Sequence, residues 1–237
     1  MNFDYESRLI LKYIGGSHAY GTNTIDSDID YRGVIIPPKS YFYGLDRFEQ
    51  HEQNNPDLVY YDIRKMVSLA LRGNPNILEC LYADEYVLMT LYARRLIEIR
   101  DEFLTKSCLK AYMGYAQQQL YRLGVKSAPA SRTEKRMALV EKFGYDTKYA
   151  LHIFRLLQTG IEILKEGKLR VKRPNADFLL SVRNGKYTIE EVREMSDSLI
   201  EELRQVESVS TLPEKPDYHK VNQVVVSIVE DYIRENG

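Results

Sequence analysis

The sequence predicts an α+β fold with a small mixed sheet followed by a mainly helical C-terminal region. In roughly the first 90 residues, short apolar or alternating runs are separated by glycine, proline and asparagine, which is typical of strands. Beyond them, apolar residues recur at steps of three and four, which is typical of amphipathic helices. This change in pattern lies near residues 90–105, and we expect one domain over 1–95 and a second over 96–237.

Each strand of the first part has its own signal. "SRLILKYIGG" is apolar and ends in glycine, and "SHAYGTN" after it predicts a helical turn capped by Ser17. "DIDYRGVIIPP" alternates and then runs apolar, which predicts a strand that ends at Pro37 and Pro38. "RFEQHEQ" and "DLVYYDI" flank "NNP", which predicts a hairpin.

The remaining chain is predicted to be helical from "DIRKMVSLALRG" onward, with Gly73 ending the first of these helices. Further helices are predicted in "NPNILECLYA", "LMTLYARRLIEIRDEFL", "SCLKAYMGYAQQQLYRLG", "SRTEKRMALVEKFGYDTKYALHIFRLLQTGIEILKEG" and "TIEEVREMSDSLIEELRQVESV". "LPEKPD" interrupts the pattern before a last helix, "YHKVNQVVVSIVEDYIREN".

Composition excludes several function classes. A net charge of −1 creates no global field toward nucleic acid, so any attraction to polyanions must be local. Cys80 and Cys108 form neither a disulfide framework nor a metal-binding pattern, and we expect two reduced thiols in a cytoplasmic protein. The N-terminal apolar run is too short to span a membrane and carries no cleavable signal, so no membrane partner is expected.

Three aspartates stand at alternate positions in "DSDID", and two of them predict a metal site. Because residues i and i+2 of a strand share a face, Asp28 and Asp30 would lie side by side and require a divalent cation. Carboxylate oxygens favour Mg²⁺ or Mn²⁺. Asp26 and Ser27 are expected to shape the preceding turn. A solvated acidic turn is an alternative, whereas a calcium loop is excluded because Tyr31 stands where that loop needs glycine.

A glycine-serine turn precedes these carboxylates. Gly15-Gly16-Ser17 follows an apolar strand and would open a helix, so its backbone N–H groups and the serine hydroxyl predict a phosphate-binding corner. A phosphate corner next to a carboxylate pair is the arrangement that phosphoryl-type transfer requires.

"GGS" followed by "DSDID" resembles the signature of the DNA polymerase β-like nucleotidyltransferase superfamily. The stretches 60–81 and 144–164 resemble its bacterial and phage branch associated with RNA repair, and the resemblance runs from about residue 9 to about residue 185. It implies a nucleotidyltransferase palm with a helical domain covering the cleft. It also implies metal-dependent transfer of a nucleoside monophosphate from a nucleoside triphosphate to a hydroxyl, with a tRNA-like RNA 3′ end as the expected acceptor and pyrophosphate as the product.

The resemblance further implies a third carboxylate on a neighbouring strand. Asp62 is the expected residue because it follows a strand and precedes a helix; Glu52 and Asp57 are alternatives, and an N-cap is the structural alternative for Asp62. In such a site Asp28 and Asp30 would hold both metals. Asp62 would bind the metal that activates the incoming hydroxyl.

A second group of candidate residues lies on one predicted helix. Lys148, His152 and Arg155 stand at i, i+4 and i+7 and so form one stripe, for which a solvated face is the structural alternative. The resemblance implies that Lys148 and Arg155 contact phosphates of the nucleotide or acceptor and that His152 donates to a phosphate or ribose oxygen. Gly16 and Ser17 would hold the triphosphate tail.

Two basic stretches are candidates for contact with RNA, with a solvated surface as the alternative. Their basic residues are Lys126, Arg132, Lys135, Arg136 and Lys142 in 126–142, and Lys172 and Arg173 in "VKRP". In "NPNILECL", Asn74 and Glu79 resemble the pattern of the same branch; a helix cap is the structural alternative for Asn74 and a polar edge for Glu79.

Two other functions stay open at this point. One is a protein-modifying nucleotidyltransferase, in which a tyrosine, serine or threonine hydroxyl is the acceptor. The other is a catalytically silent module that binds nucleotide or RNA. The sequence pattern specifies neither the base of the nucleoside triphosphate nor the oligomeric state of the protein.

Overall fold

The computed structural model describes residues 3–124 and 134–236 and confirms the α+β class. The chain divides into two compact units. The first extends to Leu104 and also includes Arg170–Lys172 and the residues from Lys215 onward; the second holds Thr105–Leu169 and Arg173–Glu214.

The first unit contains a mixed sheet, as predicted. The sheet has five strands, and the fifth (Leu88–Met89) lies in a stretch that the periodicity assigned to a helix. The strands are β1 (Leu9–Gly15), β2 (Asp30–Ile35), β3 (Gln50–Asn54), β4 (Asp57–Asp62) and β5 (Leu88–Met89), in the order β3-β4-β2-β1-β5. β2 and β4 are parallel, whereas the other neighbouring pairs are antiparallel. The predicted hairpin is therefore β3–β4, and its second strand lies beside β2.

The position of each strand follows from its residue pattern. β1 and β2 occupy the centre and carry fully buried residues such as Ile10, Leu11 and Val34. β3 is polar and mostly exposed, which is what an edge strand tolerates.

Six α-helices accompany the sheet within the described part of this unit. They are α1 (Gly16–Tyr20), α2 (Ser40–Tyr43), α3 (Ile63–Ala70), α4 (Pro75–Leu81), α5 (Leu91–Glu98) and α11 (Tyr218–Asn236). Asn74 caps α4, since its side chain accepts from the Ile77 amide.

α11 packs on α5, where Arg95 donates to Asp231 at 2.9 Å. The last helix therefore belongs to the same unit as the sheet. The sequence pattern had instead predicted that all residues after 95 form the helical domain. Local periodicity identified α11 but could not indicate which unit it joins.

The second unit is helical. It comprises α6 (Ser107–Gly124), α7 (Glu134–Phe143), α8 (Thr147–Glu166), α9 (Ala176–Arg183) and α10 (Ile189–Val209). α8 is its central element and contacts α6, α9 and α10. α7 and α8 are separated at Gly144, whose φ is +82°, and Asp146 caps α8.

Two expectations from composition concern the cysteines and the membrane. Cys80 and Cys108 are both free and buried. Within 3–124 and 134–236, every helix is too short or too polar to cross a lipid bilayer.

Candidate active site

The site begins where two parallel strands start side by side. Asp30 opens β2, Asp57 opens β4, and the two residues are register partners. Burial raises the pKa of the Asp30 carboxyl, and Asp57 raises it further by repulsion and by a hydrogen bond between the carboxyl groups. Two carboxyl groups this close share a proton or require a cation.

Arg32 supplies a cation from the protein itself. Its Nη1 lies 3.0 Å from Asp57 Oδ1, and its Nη2 lies 3.8 Å from Asp30 Oδ1. Burial lowers the pKa of Arg32, but the carboxylates of Asp57 and Asp30 outweigh this effect and raise it on balance. The guanidinium thus offsets part of the repulsion between the two aspartates.

Asp28 lies close to this pair but not on the strand. β2 begins at Asp30, so Asp28 belongs to the irregular segment before it, whereas the sequence predicted both on one strand. The negative charge of Asp28 still reaches Asp30 and contributes to raising its pKa. In the same segment, the Thr24 amide donates to Ser27 Oγ at 2.8 Å, so Ser27 shapes the turn as expected.

The glycine-serine turn lies against Asp30. Gly16 has a φ of +62°, and a Cβ at this position would be 1.9 Å from Asp30 Oδ2. Only glycine permits both this backbone conformation and this close approach. Ser17 follows inside α1 and does not cap it, because the N-cap position is Gly15 and no side chain accepts there.

Asp62 is not brought to this cluster, which corrects the predicted third position. Because β2 and β4 are parallel, Asp62 pairs with Ile35 at the far end of β2, about 16 Å along the strand from Asp30 at about 3.3 Å per residue. Asp62 is 1% exposed and caps α3 by accepting from the Arg64 amide at 2.6 Å. The Arg64 guanidinium also binds both of its carboxylate oxygens.

The remaining alternative, Glu52, also lies away from Asp30. It is exposed on the edge strand β3, opposite Val59, and accepts from Gln50. Asp57 is therefore the carboxylate that the sheet places beside Asp30.

The donor chemistry of this cluster suits a hard divalent cation. Carboxylate oxygens are the ligands that Mg²⁺ and Mn²⁺ prefer, and Asp30 and Asp57 present them side by side with Asp28 near. In this structure Arg32 contacts both aspartates, and the described residues include no group of three His, Cys, Asp or Glu side chains that could hold one ion. Binding of a metal by three carboxylates would therefore require the side chains of this cluster to rearrange.

The candidates on α8 belong to the second unit. Arg155 is 4% exposed, so a fully solvated face does not describe this stripe. His152 is half-buried, and burial lowers its pKa to about 3, with further contributions from neighbouring cations. The cations that act on His152 are Arg155, Arg136, Lys148 and Arg183.

The basic residues of the two stretches lie in different environments. Lys126 and Arg132 lie outside the described residues, as does the side chain of Lys135. Arg136 donates to the buried Asp146 at 3.0 Å. Arg173 is buried and pairs with Glu162 at 3.3 Å, which removes it from any exposed RNA-binding surface.

Sequence reasoning missed other polar residues near the site. Arg32 was not singled out. Glu79 was noted for its resemblance to the branch pattern, but it is buried rather than at a polar edge, and it accepts from Tyr20. The signal that could have identified Asp57 is the "NNPD" turn, because β4 starts there beside β2.

Comparison with known proteins identifies the family. A sequence model of the RNA repair pathway DNA polymerase beta family (RlaP) matches residues 2–227. The chain belongs to this family. It is thus a polymerase β-like nucleotidyltransferase family member, as the glycine-serine turn and the paired aspartates indicated.

Two curated proteins are similar to parts of the chain. An uncharacterized 38.9 kDa protein from the nrdC-mobD intergenic region of Enterobacteria phage T4 is 25% identical over 137 residues, covering 51% of this chain and 40% of the phage protein. The uncharacterized protein YcgL of Bacillus subtilis (strain 168) is 25% identical over 122 residues, covering 49% of this chain and 47% of YcgL. The chain therefore matches less than half the length of each relative.

A solved structure also aligns with the chain. The crystal structure of a nucleotidyltransferase-like protein from Exiguobacterium sibiricum 255-15 gives a TM-score of 0.30 at 9% identity, covering 96% of this chain and 86% of that protein.

Proposed function

We propose that this protein is a metal-dependent nucleotidyltransferase that moves a nucleoside monophosphate from a nucleoside triphosphate to a hydroxyl of RNA. The acceptor oxygen attacks the α-phosphorus and forms a new phosphodiester bond. The bond from that phosphorus to the β-phosphate oxygen breaks, pyrophosphate leaves, and the acceptor hydroxyl loses its proton.

One observation carries this proposal. Asp30 and Asp57 start adjacent parallel strands, and the backbone of Gly16 lies against the Asp30 carboxylate. A turn without side-chain bulk therefore stands next to a carboxylate pair, which supports phosphates and a cation at one place.

The residues have distinct proposed roles. Asp30 and Asp57, with Asp28, hold Mg²⁺ or Mn²⁺, which when bound stabilises negative charge on the reacting phosphoryl oxygens and lowers the pKa of an attacking hydroxyl. The backbone of Gly16 and Ser17 holds the triphosphate tail. Asp57 replaces Asp62 in this assignment because the sheet register separates Asp62 from Asp30.

Two residues of α8, Lys148 and His152, form the second part of the proposal. Lys148 binds a phosphate group of the nucleotide or the acceptor, whereas Arg155 is 4% exposed and is not assigned the phosphate contact that the resemblance implied. His152 donates a hydrogen bond to a phosphate or ribose oxygen from its neutral ring, since a neutral imidazole retains one N–H.

The test is a transfer assay with triphosphates labelled at the α-phosphate. The wild-type protein is incubated with each of the four labelled nucleotides and Mg²⁺ or Mn²⁺, with tRNA or without any RNA. Asp30→Asn is the inactive variant, and Asp46→Asn is its matched control because Asp46 lies on an exposed loop. Metal chelation provides a second control.

Label on RNA that is lost with Asp30→Asn and with chelation supports the proposal. Label on the protein itself would instead indicate the protein-modifying alternative. Binding of nucleotide without any transfer would contradict the proposal and indicate a silent binding module.

A further inference from the structure

A buried carboxylate lies in the core of the first unit. Glu79 belongs to α4 and is 4% exposed, with apolar neighbours such as Leu78 and Cys80 in the same helix. A charged group inside a core is unfavourable unless it is hydrogen-bonded. The Tyr20 hydroxyl donates to Glu79 Oε2 at 2.7 Å, although 59 residues separate the two in sequence.

Tyr20 connects this carboxylate to the glycine-serine turn. It is the last residue of α1 and its buried residue, whereas Gly16 at the other end of the helix touches the Asp30 carboxylate. Gly21 ends the helix with a φ of +72°. The sheet holds the start of α1, because Gly15 is the register partner of Asp30, and the buried side chain of Tyr20 anchors the other end of this five-residue helix.

A second tyrosine extends the polar groups toward Arg32. Tyr13 on β1 is buried, and its hydroxyl would lie 3.4 Å from a Cβ built on Gly15. Burial raises the pKa of Tyr13 well above its ordinary value. The negative charge of Glu79 also raises it, and Arg32 lowers it, so the ring lies within electrostatic reach of both groups.

We propose that Glu79 is a positioning residue that holds α1 through Tyr20 and thereby keeps the Gly16–Ser17 backbone against Asp30. This inference rests on the proposed function, because it assigns Glu79 to the phosphate side of that same site. Glu79 itself touches neither nucleotide nor metal. Its removal should therefore weaken triphosphate binding and leave cation binding by the aspartates unchanged.

The test compares variants that differ by single atoms or small groups. Tyr20→Phe removes the donor hydroxyl, and Glu79→Ala removes the acceptor. Glu79→Gln keeps an acceptor oxygen and serves as the conservative rescue. Tyr82→Phe is the matched control, because Tyr82 follows the same helix α4 and its hydroxyl donates to Asp101 at 2.7 Å.

Neither probe carries a nucleobase, so the test does not depend on which nucleotide the protein uses. Mn²⁺ alone is titrated and followed by the electron paramagnetic resonance signal of the free ion, and inorganic tripolyphosphate is titrated in the presence of Mn²⁺. Thermal unfolding of each variant is measured in parallel.

We expect Tyr20→Phe and Glu79→Ala to weaken tripolyphosphate binding about tenfold while Mn²⁺ binding changes less than about twofold. Glu79→Gln should bind tripolyphosphate nearly as the wild type does, and Tyr82→Phe should lose thermal stability only. Should Glu79→Ala fail to fold, Tyr20→Phe alone decides the question.

Tripolyphosphate binding by Tyr20→Phe equal to that of wild type would overturn the inference, as would a loss no greater than that of Tyr82→Phe. A wild-type protein that binds neither Mn²⁺ nor tripolyphosphate would overturn the proposed function, and the inference with it. The two failures can be distinguished, because failure of the proposed function is observed in the wild type and failure of the inference alone only in the variants.

Discussion

Asp30 and Asp57 are register partners at the start of two parallel strands, and the Arg32 guanidinium contacts both. Burial is the main cause of the raised pKa of Asp30, and the neighbouring Asp57 carboxylate raises it further. Under the proposed function, a bound cation offsets the repulsion between the two carboxylates that Arg32 only partly offsets.

Asp57→Asn should abolish transfer, whereas Asp62→Asn should preserve it. Loss of a metal ligand removes several kcal/mol of stabilisation from the transition state, which corresponds to a rate about a thousandfold lower. Asparagine at position 62 can still accept from the Arg64 amide, because asparagine is a good N-cap residue. Single-turnover transfer rates measure both effects.

Thermal unfolding of both variants separates activity from folding. Asp62→Asn should unfold at a lower temperature, since it breaks the charge pair with Arg64, yet remain active within about tenfold. Full activity of Asp57→Asn together with an inactive but folded Asp62→Asn would return the third position to Asp62.

The register explains why the sequence pointed to Asp62. A strand followed by a helix identified the "YYD" aspartate, and an antiparallel β4 would have placed that end of the strand beside Asp30. Because β4 is instead parallel to β2, the first residue of β4, Asp57, lies beside Asp30. Alternation and turn residues specify strands, but the direction in which a strand joins a sheet depends on contacts distant in sequence.

Gly16→Ala should remove metal and triphosphate binding with a smaller effect on stability. Its φ of +62° strains any L-residue, and the new methyl group would collide with the Asp30 carboxylate. The carboxylate must then move away from its position beside Asp57. Isothermal titration with Mn²⁺ and tripolyphosphate measures the loss.

Gly114→Ala is the matched control for this substitution. Gly114 is exposed within α6 and nothing lies within 4 Å of a Cβ built there, so alanine should raise stability by about 1 kcal/mol. Normal Mn²⁺ and tripolyphosphate binding by Gly16→Ala would show that the glycine-serine turn plays no part in the site.

Lys148→Ala should raise the apparent KM for the nucleotide with little change in kcat, if the lysine binds phosphates equally in the ground and transition states. Lys165→Ala is the control, since Lys165 lies near the end of the same helix and pairs with Glu202 on the surface. Steady-state kinetics at saturating acceptor measure both constants. Kinetics of Lys148→Ala that match those of Lys165→Ala would favour a structural role for the stripe.

Helical periodicity predicted α8 and the stripe of Lys148, His152 and Arg155 on it. It did not predict which basic residues of the second unit are buried. Arg155 lies in the core, and Arg173, expected in an exposed basic stretch, pairs with Glu162 inside the second unit. A three- and four-residue period specifies which residues share a helix face. It does not specify how many other helices cover that face, and α8 is contacted by α6, α9 and α10.

His152 should make the protein less stable as the pH falls below about 6.5. Burial, reinforced by the neighbouring cations, lowers its folded-state pKa to about 3, whereas an unfolded histidine titrates near 6.5. The unfolded state therefore binds the proton first, and stability present above pH 6.5 decreases toward pH 3. Between pH 7 and pH 5 we expect the wild type to lose about 1–2 kcal/mol more than His152→Gln, because glutamine cannot titrate. Urea unfolding at both pH values measures this difference. His219→Gln, a change at an exposed histidine, should follow the wild type, and an equal pH dependence in wild type and His152→Gln would show that the folded-state pKa of His152 is ordinary.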